Sequence, residues 1–153
     1  LLWPVSGPEQ RVKLNPVPRV AVAGVSSELR SALSNLVVNA VRYTPGSGQI
    51  DIKATVLADG RIEFAVADTG PGIPPEHLPR LSERFYRVDR SRSRESGGTG
   101  LGLAIAKHVA QRHGGELSMA SVLGQGSRFS LVLPANRIRL AAEPAQAGAI
   151  RAR

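Results

Sequence analysis

Asn35-Leu36-Val37-Val38-Asn39-Ala40-Val41-Arg42-Tyr43-Thr44-Pro45 closes a helical segment that carries two different stripes. Leu29, Leu33, Leu36, Val37 and Ala40 recur at helical spacing and mark the side that packs on the rest of the chain. Ser26 or Ser27 stands where a helix is capped, Glu28 lies in the first turn where the dipole favours an anion, and Thr44-Pro45-Gly46 stops the helix after Tyr43. Asn35, Asn39, Arg42 and Tyr43, at i, i+4, i+7 and i+8, share a second face. Asparagine is a mediocre helix former because its amide competes with the backbone, so two of them in an otherwise apolar helix need a reason. One reason is chemical: a neutral carbonyl oxygen suits a Mg2+ already carried by nucleotide phosphates, where a carboxylate would add surplus negative charge. The plainer alternative, amides that are solvated or tie off backbone groups, stays open at this point.

On either side of this helix the chain reads as strands. Upstream, a Pro-punctuated segment over 1–11 reads as a linker, with strands expected at Val12 to Leu14 and Val20 to Ala23. Downstream, Ile50, Ile52, Ala54 and Val56 alternate with polar neighbours, as do Ile62, Phe64 and Val66, and Asp59-Gly60 joins the two runs as a hairpin with one buried face. A short helix is expected near Pro75 to Leu81, and residues 87–98 show no periodicity. Leu101, Ile105 and Val109 mark a second long helix that Gly114-Gly115 ends. A last hairpin runs through Leu117 and Met119, the turn Gly124-Gln125-Gly126, then Phe129, Leu131 and Leu133, and Pro134 ends it. Residues 135–153 carry no large apolar face and read as a disordered tail. The order argues for an α+β class, a two-layer sandwich whose mixed, mostly antiparallel sheet is covered on one face by helices.

Composition narrows the function. The chain has 153 residues, no cysteine and a net charge of +8, so disulfides and thiolate metal sites are excluded and an anionic partner fits. Nucleic acid is disfavoured, because Arg84, Arg87, Arg90, Arg92 and Arg94 crowd one stretch, four more arginines follow Pro134, and 4% aromatics leave little stacking surface. No apolar run approaches the roughly 20 residues that span a bilayer, so the segment reads as soluble and cytoplasmic.

Two further motifs carry chemistry. Asp68-x-Gly70-x-Gly72 follows a strand, so a carboxylate is presented at the sheet's end while the glycines admit a ligand to the backbone. Such a carboxylate accepts from an exocyclic amine; a glycine-rich turn with a capping aspartate is the alternative. Gly97-Gly98-Thr99-Gly100-Leu101-Gly102-Leu103 opens the second helix, where free N–H groups and the dipole converge on an anion, and it matches neither the dinucleotide fingerprint nor a P-loop.

In this order, the motifs resemble the N, G1 and G2 boxes of sensor histidine kinases, in the GHKL ATPase superfamily. Asn35 through Pro45 resembles the N box, Asp68-Thr69-Gly70-Pro71-Gly72-Ile73 the G1 box, Arg84-Phe85-Tyr86-Arg87-Val88-Asp89 the F box, Gly98-Thr99-Gly100-Leu101-Gly102-Leu103 the G2 box, and Gly124-Gln125-Gly126-Ser127 the last glycine motif. The resemblance covers residues 12–134 and implies a Bergerat fold with a lid over about 74–98. It implies ATP and Mg2+ as cofactors: Asn39 as the metal ligand with Asn35 nearby, Arg42 reaching phosphate, Tyr43 against the nucleotide and Asp68 on the adenine amine. Gly70, Gly72 and Ile73 would shape the base pocket, Gly98, Thr99, Gly100, Leu101 and Gly102 would meet the phosphates, and Arg87 would belong to the lid. Asn39 and Arg42 are the candidates closest to the reaction. One departure stands out, since Ser82 occupies a position where family members often carry Phe, which implies a looser lid base.

The implied activity is transfer of the ATP γ-phosphate to a histidine on a separate helical hairpin, upstream of this segment, with a response regulator as the final acceptor and an inner-membrane anchor upstream. His77, His108 and His113 do not fit the acceptor and read as ordinary surface or partly packed residues. Hydrolytic members of the superfamily place a glutamate where Asn35 stands, so fast ATP hydrolysis is not expected. An anti-sigma-type serine kinase and a non-enzymatic nucleotide-sensing module are the competing readings.

Overall fold

A computed structural model describes residues 10–86 and 101–140 of the chain. Among the described residues, seven strands are present: β1 (Arg11–Leu14), β2 (Val20–Val22), β3 (Gln49–Val56), β4 (Ile62–Asp68), β5 (Glu116–Val122), β6 (Gly126–Leu133) and β7 (Ile138–Leu140). Five of them form one sheet in the order β1-β3-β4-β6-β5, with β1 parallel to β3 and the other neighbours antiparallel. Two long helices, α1 (Ser26–Tyr43) and α2 (Gly102–Arg112), pack together on one face of it. The architecture is the expected α+β sandwich.

The alternation read from the sequence decides which sheet face is covered. Ile50 and Ile52 on β3, Ile62 and Val66 on β4, and Phe129, Leu131 and Leu133 on β6 join one apolar cluster with both helices. Four alanines, Ala32 and Ala40 on α1 and Ala106 and Ala110 on α2, are fully buried in that cluster. Their small side chains let the two helix backbones approach. This corrects the expected face of α2: Leu103, Ala106, Val109 and Ala110 point inward, while Ile105 is 41% exposed. Large apolar residues at i and i+4 suggested a wider spacing than two helices in close contact allow.

The ends of the fold also differ from expectation. Val25, not Ser26 or Ser27, is the N-cap of α1, and no side chain caps the helix. The Val25 N–H donates instead to His113 Nε2 at 3.0 Å. Gln10 and Arg11, read as linker, belong to the domain: Gln10 Nε2 donates to the carbonyls of Val41 and Thr44 at 3.0 and 2.9 Å, and Arg11 opens β1. Residues 135–140, read as the start of a disordered tail, form a 3-10 turn and then β7, which pairs antiparallel with β2 in a separate two-stranded sheet. Backbone bonds explain the order without a large apolar face: the Ala23 N–H donates to the Arg137 carbonyl at 2.6 Å, and Arg137 returns a bond to the Ala23 carbonyl. Residues 141–153 lie outside the described residues.

Candidate functional site

The described motif residues lie along α1: the start of α2 sits beside Asn35 in its middle, and the loop after β4 beside Tyr43 at its end. Asn35 and Asn39 are half-buried on α1, and Arg42 and Tyr43 are exposed in its last turn. Asn35 Oδ1 faces the first residue of α2, 3.2 Å from where a Cβ on Gly102 would lie. Only hydrogen at position 102 leaves that approach unobstructed. The first N–H groups of α2 therefore open beside the Asn35 amide, with Leu101 as N-cap and, among the described residues, no side chain capping them.

Asp68 ends β4, and its Oδ1 accepts the Gly70 N–H at 2.9 Å. Burial holds its carboxyl above the usual aspartate range, with backbone N–H groups of Gly70 and Ser127 pulling the other way. A group that the protein keeps desolvated and only partly compensates is suited to a ligand that brings a donor. The loop after it is locked against β5 and β6. Gly72 has φ 77, a Cβ there would lie 2.4 Å from the Val122 carbonyl oxygen, and the Gly124 N–H donates to the Pro71 carbonyl at 2.8 Å.

Sequence reasoning missed one member of this loop's support. Ser121 accepts the Ile73 N–H at 2.7 Å through its hydroxyl, which also bonds the Gly126 carbonyl at 3.0 Å and the Ser127 hydroxyl at 2.9 Å. Nothing local in a serine on an alternating strand signals this, because its partners are distant in sequence. Ile73 itself packs on the central cluster.

After the 3-10 turn Pro75–Arg80, Leu81 is buried in the core cluster and Ser82, the position that lacks the aromatic ring, is 9% exposed. His77 Nδ1 bonds the Tyr86 hydroxyl, and Arg80 stacks over the Tyr86 ring at 4.4 Å. Phe85 is 67% exposed and holds a positive φ of 63, a conformation that costs a side-chain-bearing residue energy. Of the expected site residues, Arg87, Gly98, Thr99 and Gly100 lie outside the described residues.

His113 needs correction. Far from a surface residue, it is 2% exposed, with Nδ1 bonded to the Val109 carbonyl at 2.8 Å and Nε2 accepting the Val25 N–H. His108 is exposed, as expected.

With this geometry in view, comparison with known proteins is decisive. Residues 24–137 match the family described as histidine kinase-, DNA gyrase B- and HSP90-like ATPase. The chain belongs to this family. Within it the chain is an ATP-binding domain of the sensor histidine kinase type. The phosphate regulon sensor protein PhoR of Pseudomonas aeruginosa is 53% identical over 125 residues, covering 82% of this chain and 28% of that protein. The chain thus spans less than a third of the length of this relative. The crystal structure of the ATP binding domain of PrrB from Mycobacterium tuberculosis superposes with a TM-score of 0.63 at 31% identity, covering 83% of this chain and 81% of that one. Full-length ShkA, crystallised with AMPPNP, superposes with a TM-score of 0.71 at 33% identity over 88% of this chain and 27% of that one. Among the described residues, no helix is long and apolar enough to cross a membrane.

Proposed function

We propose that this domain binds Mg-ATP at the junction of α1, α2 and β4 and donates the γ-phosphate to a histidine on a separate helical hairpin. The observation that carries the reading is that α1 brings together a helix start with the Asn35 amide facing it and, at its C-terminal end, the loop after a desolvated Asp68. The residues fit the ligand. Asp68 accepts from the adenine amine, Gly70, Gly72 and Ile73 bound the base pocket, and the first N–H groups of α2 at Leu101 and Gly102 take phosphate oxygens. Asn39 holds Mg2+ through its neutral carbonyl, with Asn35 beside it, Arg42 reaching phosphate and Tyr43 lying against the nucleotide. Arg87, Gly98, Thr99 and Gly100 complete the lid and phosphate loop. Mg2+, when bound, neutralises phosphate charge during transfer.

The acceptor lies elsewhere. His113 has both ring nitrogens engaged by backbone and His77 is tied to Tyr86. The reading therefore calls for a phosphoacceptor hairpin upstream in the protein, which also dimerises it, a response regulator downstream, and a cytoplasmic position beneath an inner-membrane sensor. Asn35 in place of a glutamate supports transfer rather than hydrolysis, since an amide cannot act as the general base that activates water. Radiolabelled ATP mixed with this domain and a supplied histidine hairpin should label the hairpin, while the domain alone turns over ATP negligibly. A saturating adenine nucleotide that leaves the melting temperature unchanged would overturn the assignment.

A further inference from the structure

On the helix-covered face of the sheet, one cross-strand row differs in character from the row before it. Val66, Phe129 and Met119 stand opposite one another in registered pairs and join the apolar cluster. One row further along the same face come Asp68, Ser127 and Ser121, again in registered pairs and all polar. Ser121 ends this row, and its hydroxyl is where the row meets the loop that follows Asp68. A hydroxyl has one proton to give and two lone pairs. The Gly126 carbonyl only accepts and the Ile73 N–H only donates, so the Ser121 proton goes to Gly126 and one lone pair takes Ile73. The Ser127 hydroxyl donates to the other lone pair, and every valence of the Ser121 hydroxyl is filled.

We propose that Ser121 is a positioning residue for the nucleotide base: its hydroxyl sets the spacing between Asp68 and the Ile73 wall, and with it the preference for adenine over guanine. The inference rests on the nucleotide reading above and adds the residue that tunes its selectivity. A carboxylate does not choose adenine by itself. It accepts from the exocyclic amine of adenine, but a guanine shifted along its edge offers N1–H and a 2-amino group to the same oxygens, so the depth at which the ring is held decides. Ser121 fixes that depth from two sides. The loop after Asp68 is tied to the β5–β6 hairpin at three successive residues: the Pro71 carbonyl accepts the Gly124 N–H, Gly72 packs on the Val122 backbone, and the Ile73 N–H meets Ser121. Backbone alone makes the first two ties, so the third is the one that depends on a side chain. On the other side, Ser121 holds the hydroxyl of Ser127, whose own N–H bonds the Asp68 carboxyl.

Calorimetric titration of the chain and its Ser121 variants with Mg-ATP and Mg-GTP tests this. The parent should prefer ATP. Ser121→Ala should lose about tenfold in ATP affinity and less in GTP affinity, so that the ratio narrows, with the circular dichroism unchanged. Ser121→Thr keeps the hydroxyl at a strand position that suits a β-branched residue, and it should restore both affinity and ratio. In the absence of nucleotide, hydrogen exchange at the Ile73 amide should be slow in the parent and fast in Ser121→Ala. Parental affinity and ratio in Ser121→Ala, or an Ile73 amide that stays protected there, would overturn the proposal. So would an equal loss of both nucleotides, which would make the hydroxyl a contact of the fold and nothing more. A parent chain that binds neither nucleotide would bring down the nucleotide reading as well, whereas a parent that binds ATP beside an unaffected Ser121→Ala removes this proposal alone.

Discussion

His113 and Asp68 are half-buried or buried titratable groups at opposite ends of α1, and the protein treats them in opposite ways. At the N-terminal end, His113 spends both ring nitrogens on backbone partners, the Val25 N–H and the Val109 carbonyl, and Arg112 beside it pairs with Glu28 at 2.8 Å. That end is sealed. At the C-terminal end, Asp68 is desolvated enough to hold its carboxyl above its ordinary range, and the loop after it is fixed by the Ser121 hydroxyl at the Ile73 N–H and by Ile73 packing on the central cluster. A polar group that the fold satisfies belongs to the fold, and one left partly unsatisfied belongs to the ligand.

The largest effect expected from this contrast is on binding. Asp68→Asn or Asn39→Ala should weaken ATP by at least about 100-fold, near 2.7 kcal/mol, with the fold intact, because each removes a ligand partner and no core atom. Calorimetric titration checks it, and parental affinity in either variant would erase the distinction between the two ends. Next comes His113→Ala, which should cost about 2 kcal/mol in urea unfolding, since it opens a cavity and strands the Val25 N–H. Its ATP affinity should stay near the parent's; a selective loss of binding would mean that the sealed end also serves the ligand.

A smaller effect concerns pH. A folded-state pKa raised above the unfolded value means that Asp68 favours the folded state below its ordinary range and that this contribution is lost as pH rises through the raised value. The nucleotide-free Asp68→Asn variant should therefore be slightly more stable than the parent at neutral pH, with the advantage fading as the solution is acidified towards the ordinary aspartate range. Melting curves across that window would show no convergence if the desolvation were absent. The smallest change is expected from Glu63→Gln, which removes the 2.8 Å pair with Arg128 on the sheet face opposite the helices. Surface pairs of this kind are worth about 0.5 kcal/mol, so a loss well beyond that in urea unfolding would show that this face is energetically active.

Much of the candidate site was legible in the sequence because its motifs are local signals. Asp68 before Gly70 and Gly72, and asparagines four residues apart on α1, declare themselves through spacing and through residue types that secondary structure alone does not favour. What brings them together was not legible: Asn35 meets Gly102 only because α1 and α2 pack through alanines. Ser121 gave no signal, as its role arises from β5 lying beside β6 and under the loop at Ile73.

By itself, then, the sequence determined where the two long helices and the strands of the main sheet run, which sheet face is apolar, and which side chains the proposed nucleotide site draws on, because periodicity and glycine-proline punctuation act over a few residues. Tertiary structure alone decided which face of α2 turns inward, that His113 rather than a serine meets the first turn of α1, and that β7 returns to pair with β2. Each of these joins segments far apart in the chain, where the outcome depends on shape and on unpaired backbone groups that no local pattern encodes.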